Sequence, residues 1–229
     1  MSTSAPGPRV TGLETEFGVL CAPAGPQDAV KADLPDVERA AALIFRHRPT
    51  GYRSTNLFLP NGGRLYLDIG AHPEYATAEC VSVRDLVAQD QAGRAILAAM
   101  AQRAAESLAQ EGAAVRFHLL ANNTDSAGHT YGCHESYSVP RSLLDATDDA
   151  SAASSETTMA VLTSFLATRP VLVGSGRPLA GGPTESHDGS SGAGEEAAWG
   201  LSPRAPHLQA LTSADTTGQR ALVNTRDEP

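Results

Sequence analysis

The run GRLYLDIG, residues 63–70, alternates apolar and polar side chains from Arg64 to Ile69. That period belongs to a β-strand, whose successive side chains point to opposite faces. Leu65, Leu67 and Ile69 then share a core face, while Arg64, Tyr66 and Asp68 share the other. A chain containing this strand must build a sheet with one apolar and one polar face. The polar face is either solvated or the lining of a cleft. Asn61-Gly62 before the strand favours a tight hairpin turn, with NLFLP (56–60) as the partner strand. Gly-Ala-His-Pro (70–73) reads as a turn, behind which Glu74 can swing back to the polar face. Thr77 and Glu79 follow on a second alternating run.

The segment RVTGLETEFGVL (9–20) alternates in the same way and reads as one strand. Glu14 and Glu16 share a face about 6.5–7 Å apart. Two carboxylates so placed repel unless a cation lies near, and hard oxygen ligands suit Mg²⁺. A solvated edge strand is the alternative. Residues 36–47 suit a helix stopped by Pro49. Residues 83–111 carry the clearest helical spacing, with Val83, Leu86, Val87, Ile96, Leu97, Met100, Ala104 and Leu108 on the stripe. Ser82 and Asp85 form its N-terminal capping box, and Gly112 stops it. VRFHLLA (115–121) reads as a strand, 155–169 as a helix, and PVLVGSG (170–176) as a short strand. Residues 145–156 and 181–199 read as loops, and 1–8 as a disordered tail. Helices mixed with hairpin-linked strands give an α+β sheet domain.

The net charge of −9 argues against a nucleic-acid partner. No apolar stretch approaches membrane-span length, and the start MSTSAPGP lacks the pattern of a signal peptide. Three widely spaced cysteines, Cys21, Cys80 and Cys133, read as reduced thiols. The expectation is a cytoplasmic protein. ANNTDSAGHTYGCHESY (121–137) reads as a loop lined with donors; His129, Cys133 and His134 in it invite a zinc reading, but their spacing fits no standard zinc site, and a lone satisfied histidine is the alternative for His134. No Walker-type loop, GxGxxG or GxSxG is present. On the opening strand, Arg64 suits phosphate oxygens, Glu74 a metal ion and Asp68 a free base. Ordinary salt bridges on an amphipathic strand are the competing reading.

Taken together, GLETEFGV, NGGRLYLDIGAHPEYATAEC, NNTDSAGHTYGCHESY and NTRDEP resemble, in this order, the Pup ligase and Pup deamidase family. The resemblance covers residues 12–20, 56–137 and 155–229. It implies a glutamine-synthetase-like (carboxylate-amine ligase) fold: a curved antiparallel sheet, with helices on one face, cradling ATP and Mg²⁺. It implies Mg²⁺ ligands at Glu14, Tyr66 and Glu74, with Glu16 and His134 at neighbouring metal positions. Arg64 and Thr77 would contact ATP, and Asp68 would be the catalytic base. The implied reaction joins the side-chain carboxylate of Pup's C-terminal glutamate to lysines of protein substrates through a glutamyl phosphate. This marks the substrates for proteasomal degradation.

The deamidase carries a long insertion between the first glutamate strand and the aspartate strand. Here Glu14 and Asp68 are 54 positions apart, which favours the ligase. A deamidase and a truncated non-catalytic paralogue are the alternatives. The family's chains run on past NTRDEP, so the resemblance implies a sheet left incomplete at the C-terminus. Pro203 replaces the family's usual glutamine, and 181–199 is longer than expected. Lys31 is the only lysine, and so the only side-chain acceptor for self-modification.

Overall fold

The computed structural model describes residues 9–26, 34–49, 51, 53–121, 124, 131–140, 149–174, 176–179, 198–214 and 220–225. The chain divides into two units, residues 1–138 and 139–229. Lys31, His129, the tail at 1–8 and the RDEP of NTRDEP lie outside the described residues.

The first unit runs β1 (Thr11–Glu16), β2 (Gly18–Pro23), α1 (Val37–Arg46), β3 (Asn56–Phe58), β4 (Arg64–Asp68), β5 (His72–Ala76), α2 (Val83–Gln110), β6 (Val115–Leu120) and β7 (Cys133–Tyr137). Five strands form one sheet in the order β3-β4-β5-β1-β7, every neighbouring pair antiparallel. β2 and β6 form a separate antiparallel pair.

The single strand expected over 9–20 is therefore two. The ladder of β1 ends at Phe17, whose N–H goes to the Pro73 carbonyl at 2.8 Å and whose ring is buried. The chain then leaves the five-stranded sheet to pair with β6. Alternation continues across this break, so periodicity alone does not reveal it.

The β3–β4 hairpin closes over Asn61-Gly62-Gly63, with Leu59 N–H donating to the Gly63 carbonyl at 2.8 Å. The next turn comes earlier than expected. Ala71 N–H donates to the Asp68 carbonyl at 3.1 Å, and His72, Pro73 and Glu74 are already strand. Ile69 consequently sits in the turn and is 91% exposed, not on the core face with Leu65 and Leu67.

The apolar sheet face packs on α2. Tyr75 is buried there against Gly93, where a Cβ would lie 2.2 Å from its ring. Glycine at mid-helix, normally unfavourable, here admits an aromatic anchor. Ser82 caps α2 by accepting from Asp85 N–H at 3.1 Å, and Ala113 N–H closes the far end on the Leu108 carbonyl at 2.8 Å. The buried stripe begins only at Gly93, Leu97, Met100, Ala101 and Ala104. Val83 and Val87, expected on it, are exposed.

In the second unit, α3 spans Asp149–Thr168 and α4 Pro170–Val173. β8 (Arg177–Leu179) pairs antiparallel with β9 (Ala198–Gly200), and β10 (Ala210–Ser213) pairs parallel with β11 (Ala221–Asn224). The expected loop at 145–156 is helical from Asp149, where alanines outweigh the cap-preferring Asp and Ser. The expected strand at 170–176 opens as one helical turn. Pro170 occupies the first helical position, which it tolerates, and Val173 N–H reaches the Arg169 carbonyl at 3.0 Å. Of the expected loop at 181–199, residues 198 and 199 belong to β9, and 181–197 lie outside the described residues. Among the described residues no helix is long and apolar enough to cross a membrane.

Candidate active site

Residues paired across an antiparallel ladder share a face. On β4 and β5 the pairs are Arg64–Ala76, Tyr66–Glu74 and Asp68–His72. On β5 and β1 they are Glu74–Glu16 and Ala76–Glu14; residues 133–137, expected in a loop, are instead strand β7, held by its ladder to β1, and there His134 stands opposite Glu14. The polar face therefore gathers Arg64, Tyr66, Asp68, His72, Glu74, Glu14, Glu16 and His134 from four adjacent strands. The other face carries Leu65 and Tyr75 into the core.

Glu14 is the hub. The Tyr66 hydroxyl donates to its Oε1, and His134 Nδ1 donates to its Oε2 at 3.1 Å. The bond from His134, opposed by burial and helped by Tyr66, holds the Glu14 carboxyl at about 2. The same bond raises the His134 imidazole. Burial first, then the bond to Glu14, raises the Tyr66 phenol.

Glu74 behaves oppositely. It is 3% exposed, and burial, then the charges of Glu14 and Glu16, push its carboxyl up to about 8. It reaches this place directly from β5, opposite Tyr66, and not by swinging back from a turn.

Two sets of three donors have ligand atoms within 4.8 Å of one another: Glu14, Glu74 and His134, and Glu16, Asp68 and Glu74. Glu74 belongs to both. Oxygen-rich triads that include a buried, mutually repelling carboxylate are donor sets that a divalent cation fits. Tyr66 joins the first through Glu14. Asp68, expected as a base, also stands among these potential ligand atoms, and it is exposed.

The Arg64 guanidinium carbon lies over the Tyr66 ring, 4.3 Å from its centroid, and 5.7 Å from that of Phe58, and its Nε donates to Asn56 Oδ1 at 2.9 Å. Its two terminal nitrogens carry no partner among the described residues, an arrangement suited to anionic oxygens. Thr77 is outside both triads. It follows Ala76, which faces Arg64, and its hydroxyl accepts from Leu13 N–H at 3.0 Å.

Sequence reasoning missed His72, which it read as part of a turn. Its ring sits on the polar face, with Nδ1 3.5 Å from Glu16 Oε2, and packs beside Tyr131 at 4.7 Å between centroids. The dipeptide His-Pro masks the strand, since proline usually marks a break. Pro73 stands at the start of β5, just past the last β1–β5 register pair, where proline's missing N–H is tolerated, and its carbonyl still takes the Phe17 N–H.

Residues 9–229 match the family model described as Pup-ligase protein. The chain is 42% identical over 226 residues to a Pup--protein ligase of Sanguibacter keddieii, covering 96% of this chain and 43% of that protein. It is 43% identical over 222 residues to the Pup--protein ligase of Kocuria rhizophila, covering 96% and 44%. The chain thus spans less than half the length of these relatives. Among solved structures it is similar to the ligase PafA in complex with Pup, with a TM-score of 0.71 at 34% identity, covering 96% of this chain and 39% of that one. It is also similar to PafA in complex with ADP, with a TM-score of 0.56 at 39% identity, covering 78% and 35%. Sequence and backbone agree, and the chain belongs to the Pup ligase family.

Proposed function

We propose that this chain supplies the metal- and nucleotide-binding sheet of an ATP-dependent Pup ligase of the cytoplasm, built on a glutamine-synthetase-like fold. The observation that carries this reading is the convergence of Glu14, Glu16, Asp68, Glu74 and His134 in two triads on one sheet face. The same face holds Arg64. Glu14, Tyr66 and Glu74 would hold Mg²⁺, with Glu16 and His134 at neighbouring positions. Bound there, Mg²⁺ supplies charge neutralisation for a transferring phosphoryl group. Arg64 and Thr77 would bind ATP, with the Arg64 guanidinium pre-oriented by its stacking on Tyr66.

ATP would phosphorylate the C-terminal glutamate side chain of Pup, turning a poor acyl centre into one with a good leaving group. Asp68, exposed at the end of β4, would take the proton from a substrate lysine, which must be neutral to attack. The amine forms the isopeptide bond and phosphate departs. The free thiols Cys21, Cys80 and Cys133 fit a reducing compartment.

The test compares lysine with hydroxylamine, an acceptor already neutral at pH 7. With Pup, ATP and Mg²⁺, Asp68→Asn is expected to lower isopeptide formation about 10²–10⁴-fold while sparing hydroxamate formation. Equal loss with both acceptors removes Asp68 from the role of base. Turnover of Pup ending in glutamine without ligation favours the deamidase. Absence of Pup-dependent ADP release favours a non-catalytic chain.

A further inference from the structure

We propose that His72 is a positioning residue that fixes the Glu16 carboxylate for cation binding; the inference rests on the metal-binding reading of this sheet face. His72 belongs to neither triad of potential ligands. It stands beside one of them on the same sheet face, opposite Asp68. Its Nδ1 is 3.5 Å from Glu16 Oε2, and the two side chains are 18% and 13% exposed. Tyr131 flanks the imidazole ring at 4.7 Å.

The other Glu16 oxygen lies over Gly132. Glu16 N–H donates to the Gly132 carbonyl at 2.9 Å, and a Cβ on Gly132 would lie 2.7 Å from Glu16 Oε1. His72 thus meets one Glu16 oxygen, and the missing side chain of Gly132 leaves room for the other.

Glu14 shows the contrast. Its oxygens are bonded to His134 and Tyr66, which are themselves on the candidate metal side. Glu16 instead meets His72, a group of the same face that lies outside both ligand sets, as ligating carboxylates commonly meet an outer partner. A Glu16 carboxylate held by His72 keeps a ligand oxygen within 4.8 Å of those of Asp68 and Glu74.

The test is equilibrium Mn²⁺ binding to the full chain, followed by the electron paramagnetic resonance signal of free Mn²⁺. Glu16→Gln identifies the class of site that uses Glu16. His72→Leu is expected to weaken that class about 10–100-fold and to leave the remaining Mn²⁺ binding unchanged. His72→Asn, whose amide N–H stands near the position of Nδ1, is expected to stay within a few-fold of the unsubstituted chain. Unchanged binding in His72→Leu overturns the inference alone. So does a uniform loss in both variants, which is the mark of a merely structural residue. No Mn²⁺ binding by the unsubstituted chain overturns the metal reading, and this inference with it.

Discussion

In residues 1–138, Ile44, Phe45, Leu57, Leu65 and Leu97 are almost wholly shielded and meet in one cluster beneath the five-stranded sheet. In residues 139–229, Val161 is 65% exposed, Phe165 54%, Leu172 87% and Trp199 61%. The strands differ in the same sense. β1 joins β7 across some 120 residues of chain, whereas β8, β9, β10 and β11 are three or four residues long and pair two by two. Two-stranded pairs without a shared apolar face are marginal in water. A constellation that must hold several carboxylates within 4.8 Å needs a rigid floor, and the first unit provides one.

The largest test of this contrast is a pair of truncations. Leu65→Ala is expected to cost about 2–5 kcal/mol in urea unfolding. Leu172→Ala should stay within about 0.5 kcal/mol. Similar losses at both positions would break the comparison.

The carboxylates of the polar face, Glu74 buried and Glu14 partly so, add a pH dependence of up to a few kcal/mol in the metal-free protein. Glu74 titrates near 8, above the usual 4.5, so its contribution is fully present below about pH 4.5 and is lost as pH rises through 8. Raised His134 acts in the same direction, from its usual 6.5 upward. Glu14, held near 2, contributes above about pH 4.5 and loses its share as pH falls through 2. Thermal melts of Glu74→Gln should show a shallower decline between pH 5 and 8. An unchanged slope would mean that Glu74 is not the buried acid of this sheet.

Gly93→Ala sharpens the role of helix packing. Alanine favours helices, yet a Cβ 2.2 Å from the Tyr75 ring should destabilise by about 1–3 kcal/mol. A stabilised variant in denaturant melts would refute the anchoring of the sheet on α2. Ser82→Ala, which removes the α2 cap, should cost about 1 kcal/mol. No measurable cost would show that the exposed first turns of α2 are frayed.

Much of the first unit was legible because period-2 alternation names the face of each residue without naming its partners. Arg64, Tyr66 and Asp68 fall on one face by that rule, as do Glu14 and Glu16, and the register brings both sets to the same side. The rule fails at corners. Ile69 continues the alternation but lies in a turn, and at Phe17 the chain makes its last bond to β5, to a carbonyl 56 residues away, before turning to pair with β6. His72 was hidden for the same reason, since a His-Pro pair after glycine reads locally as punctuation. In the second unit, four apolar residues, Pro170–Val173, fit a strand or a helical turn equally well, and local hydrogen bonding decided between them.

The most direct measurement is hydrogen exchange of the full chain, read by mass spectrometry, with and without Mg²⁺ and ADP. The account predicts slowed exchange in peptides spanning 11–16, 64–76 and 133–137, abolished by Glu74→Ala, with 149–173 unaltered. No ligand-dependent protection, or protection confined to residues 139–229, would contradict it.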